Sequence, residues 1–267
     1  MAGVVAYDGT DYHGFQVQVG VPTVQGALEA ALASFTALAG RLAGAGRTDT
    51  GVHAAGQVVV VTVAWGHTVA KLQDAWNAHL PRSIVVRRLV EAPPGFHPRF
   101  SALWRTYRYT VVETGGDSLG RSPLTDRYAW SVPRRLDVAA MNRAARTLVG
   151  EHDFAAFGLP TQGENTVRCI REAEWQIVTA LPSVTPPEPG DPRLVFTISA
   201  NGFLRVMVRS VVGSLLAVGD GHWMPDDIVL VREARDRRRA APPAPPHGLT
   251  LAEVVYPDHL DPWRTGM

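Results

Sequence analysis

The run Gly46-Arg47-Thr48-Asp49-Thr50-Gly51-Val52-His53-Ala54 sets one carboxylate and one guanidinium two residues apart between glycines. Glycine lets a backbone turn sharply and come close to a ligand, and loops on a rigid scaffold are where catalytic groups concentrate. A carboxylate held there could act as nucleophile or base. Taken alone, an Asp that caps local amides in an ordinary turn is the commoner case, so the rest of the chain has to decide. Arg209 is the second position. It stands within Phe203 to Val218, where Val206, Met207, Val208, Val211, Val212, Leu215, Leu216 and Val218 surround nearly the whole circumference of a helix, which predicts burial. A buried arginine needs a carboxylate or several acceptors. That need is met by a structural ion pair, or by a pairing that keeps Asp49 ionised and aimed. Tyr107 is the third, in Arg105-Thr106-Tyr107-Arg108-Tyr109. A tyrosine between arginines suits stacking of an unpaired base with phosphates gripped beside it, or plain packing on a half-buried sheet.

The elements that must position these groups follow from apolar spacing. A strand is expected at Val4 to Tyr7, a helix from Val24 to Leu38, a strand from Val58 to Val63, and a helix from Val69 to His79 stopped by Pro81. Ile84 to Val90 and Thr106 to Val112 read as strands, the latter with Tyr107 and Tyr109 on one face and Arg108 on the other. Leu136 to Val149 is a helix, Val167 to Ala180 and Leu194 to Ala200 are strands, Phe203 to Val218 and Asp226 to Arg238 are helices, and Leu249 to Tyr256 is a closing strand. Gly115 to Pro123 and the proline-rich Pro182 to Pro192 read as surface loops. Without a regular parallel rhythm this order predicts an α+β fold with a largely antiparallel sheet. Its boundary is placed between an N-terminal half, 1–113, and a C-terminal half, 114–267.

With 267 residues the chain can bury a large core. The single Cys169 excludes an internal disulfide framework and, in a strand-like run, reads as a packed thiol. The histidines show no metal-ligand spacing, so no metal is expected. No apolar run approaches a membrane span and no signal segment opens the chain, so a cytoplasmic location is expected. The net charge of +1 does not by itself announce a nucleic-acid protein, although Lys71 is the only lysine among 26 basic residues. Arginine suits bidentate phosphate contacts. The clusters Arg82, Arg87, Arg88, then Arg105, Arg108, then Arg134, Arg135, then Arg235, Arg237, Arg238, Arg239 form either a basic face or a set of solvated charges.

The chain resembles the TruA family of tRNA pseudouridine synthases along nearly its full length. Tyr7-Asp8-Gly9-Thr10-Asp11-Tyr12-His13-Gly14-Phe15-Gln16 is similar to the family's opening motif, and Thr23-Val24-Gln25-Gly26-Ala27-Leu28-Glu29 to its first helix. Gly46 to Ala54 is similar to the segment with the catalytic aspartate, Arg105 to Tyr109 to that with the active-site tyrosine, and Met207-Val208-Arg209 with Val212-Gly213-Ser214 to that with the arginine partner. Phe15, Thr50 and Ser210 depart from the family pattern without removing a charged group. The resemblance implies a pseudouridine synthase fold of two ferredoxin-like halves around a continuous mixed or antiparallel sheet with a central active-site cleft. It also implies isomerisation of uridine to pseudouridine in the anticodon stem-loop of tRNA. Asp49 is then nucleophile or base, Tyr107 stacks the base and removes a proton, and Arg209 pairs with Asp49. Arg47, Arg105 and Arg108 join Tyr107 in binding substrate. No cofactor is expected, because neither hydride nor high-energy phosphate takes part. The implied partners are tRNA and a second copy in a homodimer. The rival readings are a tRNA-binding module without catalysis and a hydrolase of a small glycoside, which would want a second carboxylate.

Overall fold

In the computed structural model, described over residues 1–115, 122–160, 163–178 and 193–264, Thr23 opens the first helix by accepting the Gly26 N–H on its hydroxyl. In chain order the elements are β1 (Ala2–Tyr7), α1 (Val24–Ala33), β2 (Ala43–Gly44), β3 (His53–Val60), α2 (Val69–His79), β4 (Ile84–Val90), β5 (Trp104–Glu113) and β6 (Trp130–Val132). They continue as α3 (Val138–Arg146), β7 (Gly150–Asp153), β8 (Val167–Val178), β9 (Arg193–Ala200), α4 (Met207–Gly219), α5 (Asp227–Ala234) and β10 (Leu249–Val255). The chain falls into two compact units, Met1–Arg105 with Thr250–Met267, and Thr106–Leu249. The sequence reading placed a single boundary after residue 113; here the last strand is grouped with the first unit.

In the first unit β1 runs antiparallel to both β3 and β4, and β10 lies parallel to β3 through Thr250 opposite His53 and Leu251 opposite Ala54. The helices bury one stripe each, Val24, Leu28, Ala31 and Leu32 from α1, Leu72 and Trp76 from α2. The Trp76 indole N–H donates to the Leu28 carbonyl at 3.1 Å and ties the two helices together. Helix α1 stops at Ala33, short of the expected Leu38. The Ser34 hydroxyl donates back to the Ala31 carbonyl, and Leu38 is extended and bridged to Val63. Strand β4 is the edge of this sheet. The Asn77 amide reaches it from α2, donating to the Val86 carbonyl at 2.9 Å and accepting the Val86 N–H at 2.8 Å.

In the second unit β8 pairs antiparallel with β9 over its length and with β7 at its start, while β6 lies parallel to β5. Met141, Ala144 and Ala145 of α3 and the buried apolar face of α4 join Trp175 and Phe196 in the core. From α3 the Asn142 amide donates to the Trp175 carbonyl at 2.9 Å and accepts the Trp175 N–H at 2.8 Å. Helix α5 ends at Ala234, before the expected Arg238, because Arg235 turns left-handed. Among the described residues, ten strands and five α-helices in mixed pairing make the fold α+β, as expected. Residues 116–121 and 179–192, most of the two expected loops, lie outside the described residues. Among the described residues no helix is long and apolar enough to cross a membrane.

Candidate active site

Asp49 is half-buried, in the connection between β2 and β3. The loop begins with Gly46 pinned on both sides by one fully buried amide: Gln57 Oε1 accepts the Gly46 N–H at 3.2 Å and Gln57 Nε2 donates to its carbonyl at 2.8 Å. Next, Thr48 is buried. Its hydroxyl shares a 2.7 Å hydrogen bond with Tyr7, and its carbonyl accepts the Phe15 N–H at 3.1 Å. Burial pushes the Tyr7 hydroxyl well above the usual tyrosine range, so it stays a neutral donor and acceptor. The Asp49 carbonyl then accepts the Val52 N–H at 3.1 Å, which closes a turn with Gly51 at φ +75° in its third position, where a left-handed residue is required. Beneath the turn, buried His53 accepts the Gly9 N–H on Nδ1 at 3.0 Å and lies 3.2 Å from Asp8. The backbone on both sides of Asp49 is therefore held by the segment Tyr7 to Phe15. The backbone that carries the carboxylate is thus fixed on either side, which is a condition for holding a group in a set position.

Tyr7, Thr48, His53 and Gln57 were not singled out by sequence reasoning as supports. The available signal was Gln57 itself, a polar residue directly before the apolar run Val58 to Val61, since a buried polar side chain must find partners. Strand β3 also begins at His53, five residues before the expected Val58, so the loop is shorter and stiffer than its glycines suggest. Arg47 is exposed. Arg105 is half-buried, and its guanidinium donates to the Ala102 and Ala45 carbonyls, both at 3.3 Å, and to the Arg99 carbonyl. Those bonds make Arg105 a brace across the first unit.

In the second unit Tyr107 is 8% exposed and meets Phe203 edge-to-face, with centroids 5.2 Å apart; Arg108 is exposed on the opposite face of β5. Arg209 was expected in mid-helix and buried. Helix α4 starts only at Met207, so Arg209 lies in its first turn and is half-buried. Its Nε donates to the Ala244 carbonyl at 2.7 Å while its own carbonyl accepts the Ala244 N–H at 3.0 Å. Close by, His247 is pushed below the usual histidine value, chiefly by burial, with Asp126 opposing and Arg209 adding to the shift. Several arginines of the sequence clusters are matched locally, Arg134 by Asp220, Arg235 by Asp153 and Arg238 by Asp236, as the reading of solvated charges has it.

Val206, immediately before α4, has φ 66°. A β-branched residue in the left-handed region is strained. Reciprocal backbone bonds between Arg205 and Leu159, 2.8 and 3.2 Å, hold the segment there. Val206→Asn, a residue that tolerates this conformation, should raise the unfolding free energy in urea by about 1 kcal/mol; a loss of stability would refute the strain.

Among the described residues no group of three or more His, Cys, Asp or Glu is placed to hold a metal ion. The family model described as tRNA pseudouridine synthase matches residues 4–101 and 144–257, which take in Arg47, Asp49 and Arg209 and leave Tyr107 between the matched stretches. A protein of Chloroflexus aurantiacus named tRNA pseudouridine synthase A is 42% identical over 98% of this chain and 91% of its own length. Its namesake in Azorhizobium caulinodans is 42% identical over 96% and 94%. The one in Pseudothermotoga lettingae is 40% identical over 95% and 98%. A solved chain titled as an unknown protein from Galdieria sulphuraria aligns over 79% of this chain and 86% of that one at a TM-score of 0.20 and 15% identity, which bears on nothing here. With matches at this identity running through the Asp49 loop and the Arg209 helix alike, the chain belongs to the tRNA pseudouridine synthase family.

Proposed function

We propose that this chain isomerises uridine to pseudouridine in the anticodon stem-loop of tRNA, with Asp49 as the catalytic carboxylate. Membership of the family gives the reaction class, and the closed hydrogen-bonded frame around Asp49 is the observation that carries the residue assignment. The bond from uracil N1 to ribose C1′ breaks, the base turns while bound, and C5 bonds to C1′, after which C5 gives up its proton and N1 takes one up. Atoms balance without a co-reactant. Asp49 starts the sequence by attacking C1′ or by taking the C2′ proton. One carboxylate suffices because the departing uracil is a delocalised anion, whereas a glycosidase also needs an acid for its leaving group. Tyr107 stacks on the base and helps remove the C5 proton. Arg209 is the ion-pair partner of Asp49.

A uridine in a stem must leave the stack, at a cost of a few kcal/mol. Arg47 and Arg108, both exposed, are the proposed contacts that offset it. Arg105 is set apart from them because its guanidinium is already bonded to backbone carbonyls. The working form is proposed to be a homodimer, which light scattering would check.

The test is tritium release from unmodified tRNA labelled at uracil C5. The label leaves only if C5 becomes the glycosidic carbon, so release reports isomerisation itself. Release from tRNA that is lost when the anticodon-arm uridines are changed to cytidine is the expected result. Binding without release would leave an RNA-binding module, and liberation of free uracil would point to a glycoside hydrolase.

A further inference from the structure

Phe100 is 74% exposed, against 47% for Tyr128, the next most exposed large aromatic ring among the described residues. One exposed apolar side chain is ordinary, but this one is built into place. His97 Nδ1 accepts both the Arg99 and the Phe100 N–H, at 3.1 and 3.3 Å. The Ser101 N–H donates to the His97 carbonyl at 3.0 Å, and the Ser101 hydroxyl accepts the His97 N–H at 3.0 Å. The tight turn 97–101 therefore holds the Phe100 ring out in water, with the His97 ring 4.4 Å from it and the Arg99 guanidinium carbon 5.5 Å from its centroid.

Two further facts say what the ring is for. The Arg105 guanidinium donates to the Arg99 carbonyl and also to that of Ala45, next to Gly46. The turn and the start of the Asp49 loop are thus fastened to one side chain. The charge of the segment has one sign: residues 92–112 contain Arg99, Arg105 and Arg108 and no carboxylate. An exposed aromatic ring, an adjacent guanidinium and a run of chain without carboxylates are what a surface for an unpaired nucleotide combines, since stacking holds the base and a cation the phosphate.

We infer that turn 97–101 is a second RNA contact, in which Phe100 stacks on an unpaired base outside the reacting uridine and Arg99 meets its phosphate. The inference rests on the proposed tRNA substrate. The ring touches no reacting atom in this scheme, so it serves binding and leaves the chemical step alone.

Phe100→Ala in the full chain should weaken binding of an unmodified tRNA transcript by about tenfold or more. KM for tritium release should rise in step while kcat at saturating tRNA stays within about twofold, as expected when an equal ground-state and transition-state contact is lost. Phe100→Trp should restore affinity, and the mutant should melt with the wild type because the ring is exposed. Arg99→Gln should lower the slope of log affinity against log salt by about 0.7 to 0.9. Unchanged tRNA affinity in Phe100→Ala would overturn the inference. A changed solution mass in light scattering would also overturn it, by assigning the ring to a contact between copies of the chain. Direct binding and tritium release are read separately: a wild type that binds tRNA but releases no label defeats the proposed reaction, while the affinity of Phe100→Ala still judges the platform.

Discussion

Asp49→Asn should lower tritium release from C5-labelled tRNA by at least about 10³-fold, to a residual rate read at high enzyme, with tRNA binding retained. Asparagine keeps the shape of the side chain and much of its hydrogen bonding, yet it can neither attack C1′ nor accept a proton from C2′. The loop should survive the change, because its frame is made by Gln57, Tyr7, Phe15 and Val52 acting on backbone groups and on Thr48. Affinity for a polyanion should not fall when a negative charge is removed. Coupling to Arg209 is tested in the same assay. If its role is to serve the carboxylate, Arg209→Gln slows the wild type and costs nothing further in Asp49→Asn, a non-additivity that only residues acting as a unit display. Equal release by wild type and Asp49→Asn would keep the reaction and remove Asp49 from it. Full additivity of the two changes would separate Arg209 from Asp49.

Gly9→Ala should be the most damaging change outside the reacting groups. A Cβ at position 9 would lie 2.0 Å from the Val52 carbonyl oxygen and 2.7 Å from its carbon. Both are backbone atoms, so no side chain can swing aside. Val52 donates the hydrogen bond that closes the turn at Asp49, and Gly9 itself donates to His53, so whichever strand yields carries part of the frame with it. Overpacking of this kind costs about 1–3 kcal/mol, and a displacement of about 1 Å at a reacting group costs about 10²-fold in rate. Urea unfolding and single-turnover tritium release should both register the loss. Gly66→Ala is the control, with nothing within 4 Å of the added carbon. Normal turnover in Gly9→Ala would mean that the opening segment does not position Asp49.

These two residues differ in how far the sequence announced them. Asp49 stood out as a candidate because a carboxylate and a guanidinium between glycines are a chemical pattern, given weight by the rest of the chain. Gly9 was legible as part of a turn and of a resemblance, but its close approach to Val52 was not, since contact between backbones 43 residues apart leaves no pattern of side-chain types. The Tyr7–Thr48 and Gly9–His53 bonds were hidden for the same reason, spanning 41 and 44 residues. Local signals did better. Helix α2 and strand β4 have the expected bounds, with Thr68 capping the one and Pro81 separating the two. Apolar spacing overran at both ends where it met turns. It carried α1 through Phe35 to Leu38, which are apolar in a turn and a bridge, and it began α4 at Phe203, although Val206 is left-handed. The late start of α4 changes the setting of Arg209, from mid-helix burial to a first turn where Ala244 shares its bonds.

The amides of Asn77 and Asn142 bear on what an open strand edge can still pair with. Each presents one donor and one acceptor to the outer N–H and C=O of a single strand residue, Val86 in β4 and Trp175 in β8. That is the offer a neighbouring strand would make, so at these points the ladder is already answered from within its own fold. Open strand edges invite foreign strands and the fibres that follow. With Val86 and Trp175 answered from their own helices, two asparagines leave fewer open ladder groups for a foreign strand to pair with.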